Sequence, residues 1–128
     1  MKKYAVIDSS DFPLVKVVFT GEQPDKQNFA LYLQEVKDCY SPEEKLAIVF
    51  DAAKAVLPGL TYQKMQADWL KENTSLMQNY CQGTAYVIPA TPVRKVLQMI
   101  FTLQRQPVPW KVVKTVDEAK AWAMQQLK

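Results

Sequence analysis

In the stretch VFDAAKAVLPGLTYQK, residues 49 to 64, an apolar run ends on the carboxylate of Asp51, and a loop turned by Pro58-Gly59 leads through Leu60 and Thr61 into a helical pattern. These residue types permit three kinds of chemistry. The Asp51 carboxylate could bind a ligand or cation, or hydrogen-bond the amides of its own loop. The main-chain amides of Leu60, Thr61 and Tyr62 stand at a helix start and could hold an anion. Thr61 carries the only aliphatic hydroxyl of the stretch. It could accept a phosphoryl group, but its spacing from the following apolar stripe suits an N-cap, whose oxygen takes a backbone N–H. Capping is the reading adopted.

Elsewhere the groups that could support catalysis do not converge by spacing. Asp8 and Asp11 bracket a turn, Glu43 and Glu44 sit in a solvated loop, and Asp117 with Glu118 serve a helix start. The chain has no histidine, which removes His-based triads, His general bases and His-containing zinc sites. Cys39 and Cys81 each lie near the end of a helical pattern and read as reduced, partly buried thiols. A disulfide would require their Cα atoms within about 7 Å. No Gly-rich phosphate loop is present. The expectation is a protein with no catalytic residues, no cofactor and no bound metal.

The segment PVRKVLQMIFTLQRQ has more apolar surface than one buried face needs. Val93, Val96, Leu97, Ile100 and Leu103 form a sufficient stripe, Met99 and Phe101 add bulk on other faces, and Arg94, Lys95 and Arg105 lie near the ends. Neighbouring elements could bury the surplus. Alternatively it forms a surface for a protein partner, a second copy in a homodimer, or a lipid whose headgroup would meet the cations.

These residues need a scaffold, and the pattern supplies one. KYAVID and LVKVVFTG are short β-branched runs around SSDFP, a turn, and should pair as a hairpin. PDKQNFALYLQEVKDCY carries a helical stripe with Asp25 as N-cap, and Pro42 stops it. KLAIVFD is a continuous apolar run, as in a strand covered on both faces. LTYQKMQADWLKENTSLMQNYCQG reads as one long helix ending near Gly83. TAYVI is a strand, and TPVRKVLQMIFTLQRQ opens with Thr91 as cap and Pro92 in its first turn. VPWKVVK is the last strand, and TVDEAKAWAMQQLK closes as a helix with Thr115 and Glu118 in capping-box spacing. The order β-β-α-β-α-β-α-β-α predicts an α/β fold with one mixed, mostly parallel five-stranded sheet and four helices. Sites in open sheets of this class gather at the carboxyl edge, where the Asp51 loop falls.

Length and composition agree. A chain of 128 residues is expected to form a single domain over residues 1–128 around one core. The formal charge of +3 is scattered rather than clustered, so nucleic acid is a poor partner. The apolar run before DSSD is too short for a signal-peptide core, and nothing approaches the ~18 apolar residues of a membrane span. A cytoplasmic location is the expectation.

The element order, with Asp51 ending the third strand ahead of a loop and helix, resembles the STAS fold of anti-sigma-factor antagonists, the SpoIIAA-like domains, which share their shape with Sec14-like lipid-binding domains. The chain is also similar to bacterial STAS/Sec14-like proteins in its VFDA strand end (Val49–Ala52), ADWL segment (Ala67–Leu70) and P-x-x-x-VR helix start (Pro89–Arg94). In antagonist members the corresponding loop carries an Asp-Ser-Ser-Gly turn with a phosphorylated serine. Here Pro58, Gly59, Leu60 and Thr61 replace it. The resemblance thus implies a non-enzymatic interaction or regulatory module without the usual phosphoswitch, or, on the Sec14 side, a binder of a small apolar ligand or lipid. A binder should show an apolar cavity on the order of 300 Å³ or more opening near the third helix, PVRKVLQMIFTLQRQ, or the Asp51 loop, and an interaction module a solid core and an exposed patch.

Overall fold

The β-branched runs at the start pair as expected in the computed structural model, which describes all 128 residues. Strand β1 (Ala5–Asp8) runs antiparallel to β2 (Leu14–Phe19), with Ala5 opposite Phe19 and Asp8 opposite Lys16. Helix α1 (Lys26–Asp38) starts where the sequence places it. The Asp25 carboxylate accepts the Asn28 N–H and the Asn28 side chain accepts the Asp25 N–H, each at 2.8 Å. The chain continues through β3 (Leu46–Asp51), α2 (Leu60–Glu72), α3 (Thr74–Tyr80), β4 (Cys81–Val87), α4 (Thr91–Leu103), β5 (Trp110–Val113) and α5 (Val116–Gln126). No helix is long and apolar enough to cross a membrane.

One mixed sheet has the order β1-β2-β3-β4-β5, with β2 to β5 parallel. Because this order never reverses, right-handed crossovers carry α1, the α2–α3 pair and α4 to the same face. The side chains agree. Ile48 and Phe50 share a core with Val36, Trp69, Met77 and Ile100, whereas Ala47 and Val49 meet Ala119 and Ala123 of α5 on the opposite face. Alternation along a strand sends successive residues to the two sides. Ile48, Val49, Phe50, Trp69 and Val87 all lie inside, as the apolar runs imply.

Three local expectations are corrected. There are five helices rather than four, because the expected long helix breaks at Asn73. Both the backbone N–H and the side-chain Nδ2 of Asn73 donate to the Trp69 carbonyl at 2.9 Å, while the Asn73 carbonyl accepts the Met77 N–H at 3.0 Å. A short amide side chain that competes for the backbone ends one helix and starts the next. Gly83 is not a helix terminator but a buried residue of β4, where an added Cβ would come within 2.9 Å of the Trp122 ring on α5. It is required for close packing of helix on sheet. Thr91 is the first residue of α4 rather than its cap: Ala90 is the N-cap, and the Thr91 hydroxyl accepts from Arg94 Nη2 at 3.0 Å. Thr115 does cap α5, accepting the Glu118 N–H at 3.2 Å.

Candidate functional site

The loop of residues 52 to 59 does not gather the candidate groups. Asp51 shares the sheet face of Ala47 and Val49, turned away from α2 and α4, and its Oδ1 accepts the Ala53 N–H at 3.2 Å. The carboxylate is used by its own loop. Helix α2 begins two residues earlier than a Thr61 cap would require. Gly59 is the N-cap in extended backbone, its carbonyl accepts the Tyr62 and Gln63 N–H groups at 3.1 and 3.0 Å, and no side chain caps the helix. Thr61 therefore does not cap; it lies exposed in the first turn, next to an exposed Leu60. The loop is tied instead by Gln63 Nε2 donating to the Pro58 carbonyl at 2.8 Å.

On α4 the expected stripe is buried only at Ile100, with Val93, Val96 and Leu97 half-buried and Leu103 half-exposed. Met99 is 47% exposed and Lys95 is exposed, so neighbouring elements do not cover this helix all round. Phe101 turns inward, edge-on to Tyr86 with ring centroids 5.9 Å apart and to Trp110 at 4.9 Å.

What the fold does bring together is a partly open apolar cavity of about 100 Å³ between the multi-helix face of the sheet and helices α1, α2 and α4. Of the 26 residues lining it, 22 are hydrophobic and none is charged. Pro58 and Phe101 line it, whereas Asp51, Gly59, Leu60, Thr61, Arg94, Lys95 and Met99 do not. Its walls include an aromatic series in which Phe50 stacks on Tyr86 at 5.1 Å and Tyr4 meets Phe19, Phe29 and Tyr32 at 5.2 to 5.5 Å. Against α2 and the loop before it the phenols are paired: Tyr32 donates to Gln66 Oε1 at 3.1 Å and Tyr4 to the Val56 carbonyl at 3.4 Å.

The end beside β4 is different. Gln106 Nε2 donates to the Tyr86 hydroxyl at 2.8 Å, but Gln106 Oε1, Thr84 Oγ1 and the Tyr40 hydroxyl have no hydrogen-bond partner within the chain. All three side chains are more than nine-tenths buried and line the cavity. The Tyr86 phenol neighbours Thr84 and the Tyr40 phenol neighbours Cys81, yet neither pair reaches hydrogen-bond geometry; Cys81 Sγ donates weakly to the Gly83 carbonyl at 3.5 Å. Burial holds Tyr32, Tyr40 and Tyr86 above the usual phenol range and pushes Tyr4 up to about 12. Burial raises the Cys39 and Cys81 thiols as well, and both cysteines are free. At neutral pH the lining holds no phenolate, and the two thiols, which lie outside the lining, stay protonated.

No protein-family model matches this chain, and no curated protein matches it. The reading of the site accordingly rests on its geometry. Sequence reasoning missed Tyr40, Thr84, Tyr86 and Gln106. The one signal available was a polar Thr84 inside an otherwise apolar strand, TAYVI, where a hydroxyl has no reason of packing to stand.

Proposed function

We propose that the protein is a non-enzymatic binding module whose site is the apolar cavity, occupied by one small, uncharged, largely apolar ligand. The observation that carries this is the set of three buried polar atoms without partners around one apolar cavity. An unpaired buried polar group costs about 1–3 kcal/mol, a cost removed when an occupant supplies the missing hydrogen bonds. The uncharged lining, with its buried phenols held neutral near neutral pH, supports a binder over a catalyst. The size favours a small occupant over the lipid of the Sec14-like alternative: about 100 Å³ is well below the roughly 300 Å³ at which ordinary ligand pockets begin. The order of the elements supports the STAS-like assignment as the family context for such a module.

A second reading, a STAS-type interaction module or homodimer, is supported by Met99 and Leu103 on α4, 47% and 52% exposed. Sedimentation of the chain over a range of concentrations tests self-association. The binding reading is tested by thermal unfolding in the presence of small neutral solutes. A ligand of the native state raises Tm in a saturable manner. A Tm indifferent to every such solute contradicts the reading.

A further inference from the structure

The cavity has two chemically different ends. Toward α2 its polar groups are already paired, through Tyr32 with Gln66 and Tyr4 with the Val56 carbonyl. Beside β4 it presents two hydroxyls, on Tyr40 and Thr84, each able to donate and accept, and one amide carbonyl, Gln106 Oε1, able only to accept. Gln106 is also the one residue shared with a polar surface groove formed by residues 104 to 110 together with Thr74 and Gln78. The unpaired end is nevertheless deep: Tyr40, Thr84 and Gln106 are all buried, whereas Ala55, Val56, Pro58 and Gln66 toward α2 are only half-buried.

From this, and resting on the binding reading above, we infer that the ligand is an uncharged molecule with a hydrocarbon body and a single hydroxyl or carbonyl group, its polar end set among Tyr40, Thr84 and Gln106. Charge is excluded by the lining: no cation or anion stands there to compensate an ion, and an isolated buried charge is prohibitively costly. A pure hydrocarbon would leave all three polar atoms unpaired. The size follows from volume. An apolar cavity of about 150 Å³ accommodates benzene, so about 100 Å³ corresponds to roughly four or five non-hydrogen atoms. A hydroxyl ligand donates to Gln106 Oε1 while accepting from Thr84 or Tyr40, and a carbonyl ligand accepts from the two hydroxyls.

The test uses the full chain and three probes matched in size: 1-butanol, n-pentane and butylammonium. Binding is followed by amide and methyl NMR shifts in the wild type and in the Tyr40→Phe and Thr84→Val variants. The inference expects 1-butanol to bind in the millimolar range and more tightly than pentane, and butylammonium not to bind. Each substitution should shift the butanol-to-pentane preference toward pentane by about fivefold or more, as loss of one buried hydrogen bond does. Two nearly isosteric variants are used so that failure of one to fold leaves the other. If pentane binds as well as butanol and the variants do not change their ratio, the binding reading stands and the inferred ligand class is wrong. Saturable binding of butylammonium within the cavity likewise overturns the uncharged class. If no probe binds, both fall.

Discussion

Replacing Thr84 with Val keeps shape and β-branching while removing one hydroxyl, and the structure gives this change an unusual sign. Thr84 lies on β4 opposite Ile48, is 1% exposed, and its Oγ1 has no partner within the chain. In most buried sites the loss of a hydroxyl removes a hydrogen bond and costs about 1 kcal/mol. Here there is no bond to lose. Removing an unsatisfied buried group instead relieves about 1–3 kcal/mol, and valine retains the strand preference of a β-branched residue. The ligand-free variant should therefore be more stable by about 1–2 kcal/mol, while losing preference for a hydroxyl-bearing ligand. Urea unfolding should show a higher midpoint at unchanged slope. Tm should rise by about 4 °C per kcal/mol for a domain of this size. A variant destabilised by about 1 kcal/mol or more would refute the reasoning. It would mean that the hydroxyl is bonded in the native state, with the neighbouring Tyr86 phenol as the obvious partner.

Other outcomes follow from the same structure. Ile48→Ala, in the central strand and 1% exposed, should cost about 2–5 kcal/mol in denaturant unfolding, and a near-neutral result would contradict a core centred on β3. Asp25→Ala removes a hydrogen-bonded cap and should cost about 0.5–2 kcal/mol, whereas Thr61→Ala should stay within about 0.5 kcal/mol because that hydroxyl caps nothing; a comparable loss at Thr61 would restore it as the cap of α2. Burial raises Tyr4, Tyr32, Tyr40, Tyr86 and both thiols, so the fold favours their neutral forms. That stabilisation is complete below the unfolded values, near 9 for thiols and 10 for phenols, and is lost as pH climbs through the folded ones. Ultraviolet titration should show these four phenols ionising only as the protein unfolds at strongly alkaline pH; their ionisation near pH 10 with the fold intact would contradict their burial.

Local chemistry was legible in the sequence, and assembly was not. The hairpin, the apolar run of β3 and the caps at Asp25 and Thr115 depend on residues within a few positions, and each stands where the pattern puts it. The break at Asn73 was hidden because the apolar periodicity continues from Trp69 to Met77 and Tyr80, while the competing hydrogen bonds belong to one polar side chain. The expectation of a site at the Asp51 loop came from its place at the carboxyl edge of the sheet, where sites in open sheets gather. That edge does border the cavity, through Ala52, Ala55, Val56 and Pro58 of the loop and Ile88 after β4, but Asp51, Gly59, Leu60 and Thr61 do not line it. Thr84 and Tyr86 share a face of β4 by their i, i+2 spacing, but Tyr40 and Gln106 come from separate parts of the chain, and nothing in the sequence announces that they join them. Phe101 and Pro58 were singled out for exposure or turn chemistry and belong to the cavity through packing.

The central claim is that a small ligand occupies this cavity, and the measurement that locates it is an isotope-filtered nuclear Overhauser experiment on the labelled chain with 1-butanol. The account predicts contacts from the probe's alkyl protons to the methyls of Ile48, Leu97 and Ile100 and to the Phe101 ring, with its carbinol protons nearest Thr84 and Tyr86. Contacts confined to exposed side chains such as Leu60, Met99 or Leu103, with none to Ile48 or Thr84, would contradict it.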